Sequence, residues 1–427
     1  MMRYLLFLSF LGLGLLTACG PATSERYDSE GRRIVAVWAH SGQPAERAVL
    51  ESQVEAFHAH QDEIRIDLTI VPEGDYNAQI QAAAFSGDLP DMLALDGPFL
   101  YSYAWQRQIR PLDEFLPEEL LADLLPSIIA QGTWNDNLYA VGTFDSGLGI
   151  YTRRSLLENV GIRIPENARE PWSLSEFREI LTTLSAEHEH RILDLKINYR
   201  GEWFTYAFSP MIQSAGGDLI RRPEYDRASG VLDSEASVKA MSEVARWFAE
   251  GLVHANVDDQ AFIEGQALLS LSGHWDYPRY KEAFGDDLIV LPLPDFGAGP
   301  VAAQGSWAWG ISSASTAPEE AVNFMKFLLE TEQILAMTEA NGAVPARSSA
   351  IEKSPLYAPG GDLHLFVQQL ENTALPRPRT PAYPVITSVF QDAFDRIRDG
   401  GDVEAILQRA AAEIDQDLAD NRGYPVE

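Results

Sequence analysis

The chain has 427 residues, 46% hydrophobic and 10% aromatic, enough to bury a core in more than one lobe and too apolar for a disordered chain. Its 63 acidic residues outweigh 32 basic ones, and the formal charge of −31 repels phosphate backbones and anionic membrane surfaces, so nucleic acid is excluded as an expected partner. A single cysteine excludes an intramolecular disulfide framework and a thiolate metal cluster. Only 5 of the basic residues are lysine, a composition suited to a saline or acidic medium.

Arg3 precedes an uncharged run from Tyr4 to Leu16, too short to cross a hydrocarbon core of about 30 Å but sized like the apolar part of a secretory leader. The run ends at Leu16-Thr17-Ala18-Cys19-Gly20, which resembles the lipobox of bacterial lipoproteins. That resemblance implies a signal peptide over 1–18, lipidation of Cys19, and an anchor that holds the protein outside the cytoplasm, in the periplasm or at the cell surface. Residues 19–31 then form a polar tether. No later stretch approaches 18 uncharged apolar residues, so no spanning helix is expected after Cys19.

Strands and helices alternate from there. Ile34 to Trp38 reads as a strand, Ala45 to His60 as a helix, and Ile64 to Val71 as a strand with period-two alternation. A helix from about Tyr76 to Phe85 and a strand from Pro90 to Leu95 complete a series that argues for a parallel or mixed sheet with helices on its faces. Gly132 to Val141 reads as a hairpin turning at Asn135-Asp136-Asn137. A second α/β series follows. Ser173-Leu-Ser-Glu176 is a capping box opening a helix, Ile192 to Ile197 reads as a strand, and Ser234 to Gly251 as an amphipathic helix ended by its glycine. Leu268 to Leu271, Leu288 to Leu293 and Trp307 to Ile311 read as strands, with Pro318 opening a helix to about Leu329. Asn341 to Pro345 is a turn, and two helices, Val385 to Ile397 and Val403 to Leu418, close the chain.

Several segments in this order carry a resemblance. They are Val37-Trp-Ala-His-Ser-Gly42, Ser86-Gly-Asp-Leu-Pro-Asp-Met92, Leu138-Tyr-Ala-Val-Gly142 with Gly149-Ile-Tyr-Thr-Arg153, Leu271-Ser-Gly-His-Trp-Asp276, Trp307-Ala-Trp-Gly-Ile-Ser312, and Gly342-Ala-Val-Pro-Ala-Arg347. Over nearly all of 32–420 the chain resembles the extracellular solute-binding proteins of bacterial ABC importers, in the carbohydrate-binding branch that includes maltose-binding protein. Ile150-Tyr-Thr-Arg-Arg154 lacks the asparagine usual at that place in the family.

The resemblance implies an α/β, two-lobe fold of the type II periplasmic-binding-protein kind with a ligand cleft between the lobes. It places an N-terminal lobe at 32–143 plus 306–345 and a C-terminal lobe at 144–305 plus 346–427, with chain crossings near Val141–Asp145, Ala303–Ser306 and Val344–Arg347. The implied function is capture of a sugar or oligosaccharide by a monomer, delivered to the transmembrane subunits of a permease driven by a cytoplasmic ATPase. No cofactor or metal is expected.

A sugar presents hydroxyls that donate and accept beside an apolar C–H face, so its site needs planar polar side chains together with aromatic rings at loop tips. Strand ends supply such mixtures. Trp38, His40, Ser41 and Gln43 follow the first strand, and Asp96 follows the third. Asp145 sits at the first expected crossing, and Trp203 near the start of a helix offers a stacking platform. Trp275 and Asp276 pair stacking with hydroxyl recognition, while Gln304, Gly305 and Trp307 lie at the second crossing, where a glycine admits close ligand approach. Trp309 reads as core, and Arg379 offers a hydrogen-bonding fork.

Two alternatives stand beside this reading. The same fold could bind a polyol or another non-sugar solute, and a secreted glycan-acting enzyme could use two of the many carboxylates. Against catalysis, the chain carries no G-x-S-x-G, H-E-x-x-H or phosphate-cradling G-x-x-x-x-G-K-[ST] motif. The histidines are scattered, which argues against a metal site.

Overall fold

The computed structural model describes residues 26–188 and 191–426. Cys19, the expected signal peptide and the first part of the expected tether lie outside the described residues. Among the described residues no helix is long and apolar enough to cross a membrane.

Two sheets organise the chain. In the first, Ile64–Val71, Arg33–His40 and Met92–Asp96 run parallel, followed by Trp307–Ile311 and Ala140–Val141, with Trp307–Ile311 antiparallel to both its neighbours. The alternation of Arg33–His40 is complete, with Val35, Val37 and Ala39 buried on one face. Helices Pro44–His60, Glu73–Ser86 and Pro318–Leu328 flank this sheet, and Phe57 packs edge-on against Phe324 at 5.1 Å.

The second sheet orders Leu288–Leu291, Leu148–Arg153, Leu269–Gly273 and Leu193–Asp194. Its core centres on helix Glu202–Ser214, which is buried along almost its whole length; its apolar faces fill the core, and Thr205 and Gln213 of its polar stripe are hydrogen-bonded to Thr387 and Asp218. Phe204 and Phe208 on that helix pack against Phe394 at 4.7 and 4.3 Å, tying in helix Tyr383–Arg398, and helix Val403–Asp420 packs against Tyr383–Arg398 and Glu235–Ala249. A separate buried cluster forms around each sheet.

Short paired strands lie between them. Phe144–Asp145 pairs with Val344–Pro345, and Ala302–Gln304 pairs with Ala374–Pro376. The expected hairpin is present: Thr133–Trp134 pairs with Asn137–Leu138, and Asn135 and Asp136 both take positive φ, as a tight turn of that hand requires. The capping box also forms, with the Ser173 hydroxyl accepting from Glu176 N at 3.2 Å and Glu176 Oε2 accepting from Ser173 N at 2.8 Å.

One strand differs from expectation. Ile192 to Ile197 is apolar enough for a full strand, yet only Leu193–Asp194 pairs. The cause is Lys196, whose φ of +52° turns the chain out of the sheet while its amide donates to Asp194 Oδ1 at 3.1 Å.

Candidate functional site

The carboxyl ends of the parallel strands build one wall. His40 stacks on Trp307 with centroids 3.8 Å apart and planes 8° from parallel, and Tyr76 sets its edge against Trp307 at 5.3 Å. The Tyr76 hydroxyl lies between the carbonyl oxygens of Ala94 at 2.8 Å and Trp38 at 3.0 Å, its one hydrogen shared between them, which fixes its helix to the sheet. Burial pushes the His40 imidazole down to about 3, so it is neutral at working pH. Its Nδ1 is buried without a hydrogen-bond partner among the described residues. Together with Glu46, Thr143 and Phe144, the His40 and Trp307 rings line a cavity of about 30 Å³, room for a water molecule.

A charged group joins the two halves. Asp96 ends a strand of the first sheet, Glu202 opens the central helix of the second lobe, and Arg377 follows strand Ala374–Pro376. Arg377 Nη1 lies 2.5 Å from Glu202 Oε1 and 3.6 Å from Asp96 Oδ1, and the guanidinium sits 4.9 Å over the Tyr206 ring. The Tyr383 hydroxyl donates to Glu202 as well. Two carboxylates share one guanidinium, and burial pushes Glu202 up to about 7 and raises Asp96. Among the described residues, Glu202 Oε2 and Arg377 Nε are buried without a hydrogen-bond partner.

The crossing strands pack tightly around this group. Gln131 clasps Ser306, donating to its carbonyl at 2.6 Å and accepting from its amide at 3.0 Å. The Ser146 hydroxyl donates to Gly305 O at 2.6 Å and lies 2.7 Å from the Tyr206 hydroxyl. Gly305 has φ of +117°, and a Cβ there would meet Gln131 Oε1 at 2.8 Å and the Arg377 guanidinium at 3.1 Å, so no side chain fits.

The opposite wall is aromatic. Trp275 is half-buried and packs against His274 at 5.2 Å, Trp203 at 6.1 Å and Tyr206 at 6.4 Å. The indole folds back over Gly273, where a Cβ would stand 2.1 Å from the ring. His274 Nδ1 bonds Asn341 O at 2.8 Å, which links this turn to the end of a helix of the first lobe.

The structure brings together His40, Trp307, Asp96, Gln304, Gly305 and Trp275 from the residues expected in sequence. Asp145 has no exposed surface; it accepts from Ser146 N at 2.8 Å and faces the Gln304 amide at 3.3 Å, so it holds the crossing together. Ser41 accepts from Glu73 N at 3.3 Å, exposed Gln43 precedes the helix Pro44–His60 as its cap, and Trp38 packs half-buried on the first core.

Three expected contributors have other roles. Trp203 is 6% exposed and donates through Nε1 to Leu195 O, so it backs Trp275 as a core ring and does not form a platform of its own. Asp276 is 1% exposed with both oxygens engaged: Oδ2 by Ser272 and Tyr280, Oδ1 by Arg279. Arg379 points to the surface and donates to Ala130 O at 3.2 Å, while Arg377 two residues earlier occupies the junction. Sequence reading missed Tyr76, Gln131, Glu202, Tyr206 and Arg377 as site residues. Glu202 beside Trp203 was a visible aromatic and carboxylate pair, with the roles reversed.

What the two lobes share is a wall built from both, and that construction defines the class: a two-lobed solute-binding protein of the periplasmic type. The profile of the family described as bacterial extracellular solute-binding protein matches residues 52–360, and the chain belongs to that family. Its place of work is therefore outside the cytoplasm. The chain is 22% identical over 404 residues to the maltotriose-binding protein of Pyrococcus abyssi, covering 90% of this chain and 82% of that one. Among solved structures it is similar to the cyclic alpha-maltosyl-1,6-maltose binding protein of Arthrobacter globiformis, with TM-score 0.74, 22% identity, and 91% and 100% of the two chains covered. It is also similar to a solute-binding protein of Thermotoga lettingae bound with alpha-D-tagatose, with TM-score 0.78, 20% identity, and 90% and 99% covered.

Proposed function

We propose that the protein is the substrate-binding component of an ABC importer, which captures a neutral sugar or oligosaccharide and presents it to a membrane permease with a cytoplasmic ATPase. The observation that carries this reading is that the half-buried indole of Trp275 and the Arg377 guanidinium, which pairs with Asp96 and Glu202, both lie against the Tyr206 ring. The ring offers a flat apolar face to sugar C–H groups, and the planar charged groups engage neighbouring hydroxyls. The names of the relatives, which bind maltotriose, a cyclic maltosyl sugar and tagatose, support the sugar class and leave the ligand's size open.

In this reading the lobes at 32–143 plus 306–345 and 144–305 plus 346–427 hinge about the crossing strands and shut on the sugar. The closed form is the one the permease reads. The protein acts as a monomer, catalyses no reaction, and is held at the membrane by lipid on Cys19.

A fluorescence titration of the full chain against glucose, maltose, maltotriose, mannobiose and tagatose tests the reading, with saturable change in tryptophan emission expected for at least one. Silence with every sugar, together with hydrolysis of a glycan, would place the secreted enzyme first.

A further inference from the structure

In a chain with only 5 lysines, Lys196 has no exposed surface at all. Burying an ammonium costs several kcal/mol unless anionic partners surround it. Here three carboxylates do: Asp194 Oδ2 at 2.8 Å, Asp276 Oδ2 at 3.6 Å and Asp259 Oδ1 at 3.9 Å from Nζ. The Tyr280 ring lies 5.6 Å from the ammonium, and its hydroxyl donates to Asp276. Each carboxylate belongs to a different segment, and each is held by further bonds. Asp194 accepts from Asn256 and Ser270, Asp259 from Asn198 and Tyr199, and Asp276 from Ser272 and Arg279.

Two of these ties converge on Trp275. Asp276 is its chain neighbour, so the pull of Lys196 on that carboxylate fixes the turn from which the indole projects. From the other side, Tyr199 packs on Trp203 at 5.1 Å, and Trp203 packs on Trp275. Asp259 grips Asn198 and Tyr199 within the same network. The backbone of Lys196 is held in the left-handed region to deliver this ammonium, at the expense of the strand it would otherwise extend.

We propose that Lys196 is a positioning residue for ligand binding: an internal cation that ties residues 194–199, 256–259 and 272–276 and thereby sets the angle of the Trp275 ring in the cleft. The proposal rests on the sugar-binding reading, with Trp275 as its stacking face.

A double-mutant cycle tests it, using the panel sugar that wild-type protein binds most tightly. Lys196→Met is expected to weaken binding at least tenfold in the wild-type background and less than twofold in a Trp275→Ala background, because the ring it positions is already gone. A role confined to folding would weaken both backgrounds alike, and that outcome, or unchanged affinity of Lys196→Met in wild type, overturns the proposal while the sugar-binding reading stands. If wild type binds no sugar, both fall. Should Lys196→Met fail to fold, Asp259→Asn carries the same cycle, since that carboxylate is a third exposed and its loss leaves the ammonium with Asp194 and Asp276. The expected pattern is again loss in wild type and little change beside Trp275→Ala.

Discussion

Gly273 and Trp275 form a unit in which the absent side chain matters as much as the present one. A methyl at Gly273 would overlap the indole at 2.1 Å, so Gly273→Ala drives the ring out of its packing on Trp203 and Tyr206. The expected result is sugar affinity lowered at least fivefold with the unliganded melting temperature little changed, read by titration and thermal melting. Glu202 supplies a second test. Its carboxyl is raised from an ordinary 4.5 to about 7 by burial, with Asp96 adding to the rise against the pull of Arg377. The folded state therefore holds a proton that the unfolded state releases, so this group's contribution to stability is greatest below about 4.5, falls as pH rises to about 7, and is level above that. Glu202→Gln removes that slope, so the difference in melting temperature between the two proteins should change between pH 4.5 and 7 and stay level from pH 7 to 8. Residue choice was the least legible part of the site. Arg377 and Arg379 alternate with prolines in one extended run, and only the positions of Asp96 and Glu202 in space select the first over the second. Asp276 looked like a ligand group because it follows a tryptophan; its partners Ser272, Arg279 and Tyr280, at spacings of three and four, mark it as an internal link instead.

At the scale of elements, local chemistry carried most of the reading. Ser173 and Glu176 announced their helix start, and the reciprocal bonds form. The Glu176 carboxyl is held down to about 2 by the hydrogen bonds of Arg163. Ser173→Ala should lower stability by about 1 kcal/mol in urea unfolding, while sugar affinity stays unchanged. The apolar run Ile34 to Trp38, the period-two pattern of Ile64–Val71 and the Asn135-Asp136 turn were legible for the same reason: each is decided by neighbours in sequence. Ile192 to Ile197 shows the limit. Hydrophobicity argues for a strand through Ile197, and the chain leaves the sheet at Lys196, whose ammonium is held by Asp194 two residues earlier and by the distant carboxylates of Asp259 and Asp276. Interactions of that range have no periodicity to betray them.

Over the whole molecule, the α/β alternation and the ordered family segments made the two-lobe fold readable before any coordinate. What alternation could not supply is how the lobes touch. Besides the crossing strands, Trp105 of the first lobe donates to Pro425 O at 3.0 Å and meets Tyr424 edge-on at 5.0 Å, so the segment after the last helix of the second lobe reaches across to the first. Phe99 and Tyr383 meet edge-on at 5.8 Å near the same boundary. In the proposed reading, sugar binds where the Trp275 ring and the Arg377 group meet at Tyr206. Calorimetric titration of wild type and Trp275→Ala with the best-binding sugar of the panel tests that most directly. The account predicts a saturable one-to-one heat for wild type and affinity at least tenfold weaker for the variant, about 1.4 kcal/mol or more. Equal affinities would contradict it, as would the absence of heat with every sugar.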